Sequence, residues 1–495
     1  MKKRFIVLFL LVFVFFSQNN IFSQQKNSSY KSGHEIIVHI KGATDPVIYL
    51  AIHHRNQLYL RDSAKVSSKE TYVFKGTNRL DEGLYTLISS KRMPYLEFLI
   101  DNNEHFELFM DTSMNPTTFT VKNSPEVEVM LAFQRKTGGA KKLSDFYLER
   151  RKINDEAVKK DSVEFYDNKL KDLNTEMETY IKDLIAKNPD YLMSKMQKVY
   201  QNIEIPDPPV KADGTIDSLF QSIYYRTHYW DNFDFTDKRM IYLPVTEPKY
   251  VDYFTKVLYY QETDTVIKYV DMFLKKAEAD SLLFRYFVDR LSTEYQGNEI
   301  GYDAVFVHLV KNNHLKGKTP WIDEDYLKKY KNRVLELEKT LIGSKAPDII
   351  MPDMQGRWIS SNRLPQKYVI LWFWDPTCHT CKNEAAELKH VYDSLAKIHA
   401  LNFEVYAVAS HKDTLLWKTT AKERDYKWIC VGGHTANIDW HDAYSINAMP
   451  TMFILNENRE IIMNKRIEKK MIPIFLDQYE RIQAAKKRRA TQSKQ

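Results

Sequence analysis

Cysteine is scarce in this chain: there are three in 495 residues, and none before Cys378. So few thiols cannot build a disulfide-dense scaffold over this length. They cannot fill a four-ligand zinc site either, because only Cys430 remains beside the pair Cys378 and Cys381. The lack of an early cysteine leaves no attachment point for a lipoprotein anchor. Long apolar runs are also missing after Phe16, so no transmembrane anchor is expected in the mature chain. Charge of one sign is not in excess. The formal net charge is +7, and Lys2, Lys3 and Arg4 supply three of its positives, so no nucleic-acid partner is expected. No repeat at solenoid spacing stands out.

What is present begins with an address. Met1-Lys2-Lys3-Arg4 is a basic start, Phe5 to Phe16 is uninterrupted apolar sequence, and a polar stretch with small Ser23 follows. This pattern predicts a secretory signal peptide over residues 1–24 and an exported, periplasmic protein. The hydrophobic fraction of 43% and charged fraction of 28% are those of globular protein, and the length points to about three domains.

The first expected domain covers residues 33–122. Glu35 to Ile40, Val47 to Ile52, Thr71 to Phe74, Leu84 to Ser89, Tyr95 to Ile100 and Phe106 to Met110 read as short strands. They are separated by Gly42, Asp45-Pro46, Gly76 and Asp101-Asn102-Asn103, which predicts an antiparallel sandwich or barrel. His34, His39, His53, His54 and His105 scatter over different strands and form no ligand set, so no metal is expected. From 125 to 340 the period becomes helical. Tyr166, Leu170, Leu173, Met177, Tyr180 and Leu184 make one apolar stripe on a charged helix. Pro206, Pro208, Pro209 and Gly214 break this all-α region in two, and the aromatic cluster from Tyr224 to Phe235 reads as core.

The last domain, residues 342–485, alternates strands with helices, which implies an α/β sheet. Its centre is the run Tyr368 to Trp374, apolar throughout and rich in β-branched and aromatic residues, as in a strand buried on both faces. Asp375-Pro376-Thr377 breaks the run. Ala385, Leu388, Val391, Tyr392, Leu395 and Ile398 then follow the helical period. Cys378 and Cys381 therefore fall where a buried strand hands over to a helix N-terminus, whose free N–H groups favour thiolate over thiol. A redox dithiol is the expectation, with no cofactor beyond a Cys378–Cys381 disulfide. A purely structural disulfide would explain the pair but not its position. Cys430, on an apolar segment, reads as a buried inert thiol. The basic tail 486–495 is expected to be disordered.

The motifs of this domain are Ile342-Gly-Ser-Lys-Ala-Pro-Asp348, Phe373-Trp374-x-x-x-Cys378-x-x-Cys381-Lys-x-Glu384, and Met449-Pro450-Thr451-x-Phe453-Ile454. As a set they resemble the thioredoxin superfamily, and within it the exported TlpA/ResA-like thiol-disulfide oxidoreductases. The resemblance covers about a third of the chain. The regions before it are similar only in pattern and order to β-rich and helical domains of unknown function that precede such modules. The resemblance implies that Cys378 is the nucleophile and Cys381 the resolving thiol. It implies that Pro450 is a cis-proline which, with Met449, Trp374, His379 and Thr380, meets the substrate strand. Glu384 would tune the acidity of the cysteines and shuttle protons. Where thioredoxins keep a buried Asp, this chain has Trp372. Protein thiols and disulfides are the implied partners, with reduction the expected direction and an inner-membrane thiol donor the implied electron source. Two alternatives stay open. A peroxiredoxin-like enzyme needs Thr three residues before its cysteine, where this chain has Asp375. A non-catalytic partner-binding protein would leave the dithiol incidental.

Overall fold

The computed structural model describes residues 33–492 except 102–103, 114, 158, 212–213, 259–260, 297–301, 399–401 and 465–466. The expected signal peptide lies outside the described residues. The chain has an N-terminal β sheet, a central helical region and a C-terminal α/β region. Two compact units share these elements. One takes the described residues up to Gln261 together with Tyr269–Tyr286; the other takes Glu262–Lys268 together with Phe287 onward.

The first unit holds an eight-stranded sheet of β1 (His34–Lys41), β2 (Val47–His54), β3 (Gln57–Ser68), β4 (Thr71–Gly76), β5 (Gly83–Ile88), β6 (Pro94–Ile100), β7 (His105–Asp111) and β8 (Thr120–Lys122). Their order is β6-β5-β2-β3-β4-β1-β7-β8. Neighbours are antiparallel except β1 and β7, which run parallel because the chain between them completes the rest of the sheet. Strand β3 was not legible, since only one of its twelve residues is buried and its face shows no apolar alternation. It is long enough to pair with β2 at one end and β4 at the other. Both halves of the sheet therefore contribute to one core, in which Ile36, Val38, Ile48, Leu50, Phe74, Tyr85 and Phe98 are buried.

Helices follow: α1 (Pro125–Glu156), α2 (Lys160–Lys187), α3 (Leu192–Val199), α4 (Phe220–His228), α5 (Thr246–Asp252), α6 (Thr263–Ala277), α7 (Ser281–Gln296), α8 (Asp303–Leu309) and α9 (Glu324–Glu338). Ser124 caps α1, its Oγ accepting the Val127 N–H, and Pro125 fits the first turn because it needs no donor there. Leu170, Met177 and Leu184, every second member of the expected stripe, are the buried residues of α2. Tyr229, Trp230, Phe233 and Phe235 are buried; the last three are close-packed with one another, and Trp230 and Phe235 also pack on Phe273.

In the second unit, β9 (Ile350–Pro352) and β10 (Trp358–Ser360) form a hairpin beside a five-stranded sheet of β11 (Tyr368–Trp374), β12 (Phe403–Ala409), β13 (Ile429–Gly432), β14 (Thr451–Leu455) and β15 (Ile461–Met463). The order is β13-β12-β11-β14-β15, with β11, β12 and β13 parallel and β14 and β15 antiparallel to their neighbours. The sheet packs with α10 (His379–Ile398), α11 (Thr414–Glu423), α12 (Trp440–Ala443) and α13 (Ile472–Gln492). Every residue of the central strand β11 is buried. Tyr368, Ile370, Trp372 and Trp374 enter the core that also holds Cys381 and Leu388 of α10, while Val369, Leu371 and Phe373 enter the opposite one. The Ala-Pro-Asp opening closes by its side chain: the Asp348 carboxylate accepts from Ser360 Oγ at 2.8 Å and from the Asn362 N–H at 3.0 Å.

One expectation fails at the end of the chain. The tail from Lys486, read as disordered, continues α13 to Gln492. Ala484 to Ala490 are all strong helix formers or cations, and cations in a last turn complement the helix dipole.

Candidate active site

Cys378 stands at the junction of β11 and α10. Its carbonyl accepts the first helical bond, from Lys382 N at 3.2 Å, which makes it the N-cap residue. N-cap side chains normally offer oxygen to a first-turn N–H; here sulfur does so, and Cys378 Sγ accepts from Cys381 N at 3.1 Å. The same sulfur lies 3.8 Å from the Met449 carbonyl oxygen, in a weak donor contact of the thiol. The Met449–Pro450 peptide is cis. Cys378 is half-buried and Cys381 fully buried, both as free thiols. Burial, reinforced by hydrogen bonding with Cys378, pushes the Cys381 thiol up to about 12.

Beneath Cys381 the core is a wall of aromatic rings. Trp372 and Trp374 stack with centroids 5.6 Å apart, Trp428 meets Trp372 edge-on at 6.0 Å, and Tyr426 stacks on Trp428 at 4.7 Å. Trp372 of β11 shares this core with Cys381, so the strand places an indole and no carboxylate at that position. Cys430 lies in the same core on β13, where burial pushes its thiol up to about 12.

Glu384 lies three residues after Cys381 and hence on the same side of α10. Its Oε2 lies 2.8 Å from Nζ of Lys469, which is 2% exposed in the short 3-10 turn before α13. His379 and Thr380 are exposed on the first turn of α10, and Met449 is half-buried at the mouth of the turn. The geometry thus gathers Cys378, Cys381 and Met449 around one sulfur and leaves Glu384 in an ion pair.

Residues 342–463 match the AhpC/TSA family model, and residues 186–339 match a domain of unknown function, DUF5106. The C-terminal region is an AhpC/TSA-family thioredoxin-like domain. Among curated relatives, this domain is similar to the thiol-disulfide oxidoreductase ResA of Bacillus cereus, 25% identical over 134 residues that cover 27% of this chain and 74% of the relative. Among solved structures, a thioredoxin-like protein from Bacteroides caccae is 21% identical. It covers 56% of this chain and is itself 99% covered, with a TM-score of 0.42. A domain of a possible thiol-disulfide isomerase from Cytophaga hutchinsonii is 31% identical over 29% of this chain and 97% of its own, with a TM-score of 0.27.

Two residues of the thioredoxin-like domain escaped the sequence reading. Lys469 is 85 positions from Glu384, in a charged run that reads as solvated surface, and no local signal marks it as buried. Asp375 was legible only as part of the break after β11. Its carboxylate accepts from Thr377 N at 2.8 Å and from Ser410 Oγ at 2.9 Å. Its position between a strand end and an N-cap cysteine was the available clue.

Proposed function

We propose that this chain is an exported, periplasmic thiol-disulfide oxidoreductase that reduces disulfides in protein clients, with Cys378 as nucleophile and Cys381 as resolving thiol. The observation that carries this reading is the N-cap sulfur: Cys378 Sγ accepts the Cys381 N–H at a half-buried position beside Met449. A half-buried sulfur is within reach of a client disulfide, and Cys381 stands three residues on, in position to resolve the mixed disulfide.

The exchange proceeds in two balanced steps. Cys378 thiolate attacks one sulfur of a client disulfide, forming a mixed disulfide and expelling the other client sulfur as thiolate. Cys381 then loses its proton and attacks Cys378 Sγ, forming the Cys378–Cys381 disulfide and releasing the second client thiolate. Two electrons pass to the client, and protons return to its sulfurs from solvent. An inner-membrane thiol donor restores the dithiol by the same exchange run in reverse, and no other cofactor takes part. Met449, His379 and Thr380 form the client-facing rim with Pro450 buried behind them, whereas Trp374, expected on this rim, is wholly buried in the core and cannot reach a client. Glu384 assists proton movement. Residues 33–122 and 125–340 precede the redox domain that starts at 342. The peroxidase alternative is not favoured, because Asp375 occupies the position where that chemistry needs Thr.

The test is exchange itself. Wild-type protein should equilibrate with glutathione or dithiothreitol mixtures at a potential near thioredoxin's, about −270 mV. Cys378→Ala should reduce a disulfide client no faster than buffer. Cys381→Ala should accumulate a client–Cys378 mixed disulfide, visible as a mass adduct released by reductant. A pair that never cycles would leave the binding-protein alternative.

A further inference from the structure

Asp375 has the geometry of a fixed charge. Its Oδ1 accepts from the amide and the hydroxyl of Thr377, and its Oδ2 from the hydroxyl of Ser410. The backbone ties it on both sides: its carbonyl accepts the Cys378 N–H at 3.2 Å, and Ser410 N donates to the Trp374 carbonyl at 2.9 Å. The carboxylate is thus held between the redox turn and the end of β12. All three donors are neutral, so they orient the negative charge without cancelling it. Burial works to raise the Asp375 carboxyl, but the hydrogen bonds from Thr377 and Ser410 outweigh it and hold the group below the ordinary aspartate range. Asp375 is therefore ionised at neutral pH. Burial and Cys378 disfavour the Cys381 thiolate and the Asp375 charge adds to them, against a backbone hydrogen bond from Asp375 that favours it and that a side-chain substitution leaves in place.

The other charged and titratable groups around the turn are few. His411 follows Ser410 and acts on Asp375 with opposite sign when protonated. Arg424, at the end of α11, directs its fork to the Pro376 carbonyl at 3.2 Å and the Tyr426 hydroxyl at 3.4 Å. Tyr426 faces Cys381 and Cys430. His379, exposed between the cysteines, carries charge of opposite sign to Asp375 only when protonated.

A reduction potential weighs the dithiol against the disulfide. An anion near the sulfurs raises the free energy of any thiolate and leaves the neutral disulfide untouched, so it shifts the balance toward disulfide. We propose that the Asp375 carboxylate is a positioning residue, a fixed anion that lowers the potential of the Cys378–Cys381 pair and makes it a stronger reductant. The inference rests on the redox reading above and supplies its direction.

The experiment uses the full mature chain. Wild type, Asp375→Asn and Asp375→Ser are equilibrated with glutathione redox mixtures at pH 7 and pH 9, and a thermal melt of each reports folding. Both substitutions remove the charge and keep an acceptor for the Thr377 N–H. The potential should rise in both variants, by about threefold in the equilibrium constant at pH 9, or about 14 mV at 29.6 mV per tenfold. The charge acts on the Cys378 sulfur, because Cys381, pushed up to about 12, stays protonated there. The rise should be smaller at pH 7, where less of the dithiol is ionised. A structural role would lower the melting temperature and leave the potential alone. If wild type cycles and either folded variant keeps its potential, the role of Asp375 is overturned while the redox reading stands. If wild type never cycles, the redox reading fails and takes this inference with it.

Discussion

The Lys469–Glu384 pair places a nearly dry ammonium against a carboxylate that keeps only part of its hydration, with exposures of 2% and 19%. Taking such charges out of water is costly, and attraction repays the cost only while both partners are present. Removing one withdraws that attraction. Lys469→Met should therefore destabilise the protein by about 1–3 kcal/mol, less than the ~3–5 kcal/mol typical of a wholly buried pair because Glu384 can still reach water. Adding Glu384→Gln to that variant should restore most of the loss. A double-mutant cycle by urea unfolding checks this, and additive losses would mean that the two side chains do not interact.

Among the elements, the junction of α1 with α3 shows what a buried acid does to stability. Glu126, in the first turn of α1, is 2% exposed, and its Oε1 accepts the Met193 N–H of the first turn of α3 at 3.1 Å. Burial raises its carboxyl to about 7 despite that bond. An acid whose folded value lies above its unfolded value of 4.5 favours the native state most when both states are protonated. That stability is lost as the pH climbs from about 4.5 through about 7. Glu126→Gln keeps the acceptor and removes the ionisation, so it should match wild type near pH 4.5 and exceed it by roughly 2–3 kcal/mol at pH 8. Urea unfolding at the two pH values decides; a gain independent of pH would refute the raised value.

The same scale shows what the sequence could disclose. Strand β11 was legible to the residue because its seven side chains are all apolar, and β12 because Val405 to Ala409 continue an apolar run after Glu404. Strand β13 was not, since Ile429–Gly432 is four residues long and borrows its pairing from β12. The redox turn announced itself through Cys-x-x-Cys at a strand-to-helix seam, where spacing alone carries the chemistry. Its electrostatic surroundings did not, because Ser410 and Lys469 come from elements 35 and 85 positions away from the groups they touch. Distance along the chain hides such partners, while local period and propensity do not.

At the level of the molecule, the unit that holds the dithiol reaches back beyond the thioredoxin-like domain to Phe287. Asn464 Nδ2 donates to Asp303 Oδ2 at 3.0 Å and to the Thr340 carbonyl at 2.9 Å, and Ser445 Oγ donates to the Glu336 carbonyl at 3.1 Å. Helices α8 and α9 are thereby stitched to the sheet domain they precede. A chain beginning at Phe287 should melt several degrees higher than one beginning at Ile342, consistent with about 1 kcal/mol shifting a domain of this size by roughly 2–4 °C. Equal melting temperatures in calorimetry would show that these helices add nothing to the domain.

The tryptophan wall gives the molecule its own optical reporter. Indole emission is quenched by a nearby disulfide and altered by a thiolate, and Trp372, Trp374, Trp417 and Trp428 share a packed core with both cysteines of the turn. Each turnover of the pair should therefore be visible as a change in intrinsic fluorescence. Single turnovers with a client can then be timed by stopped flow in unlabelled protein.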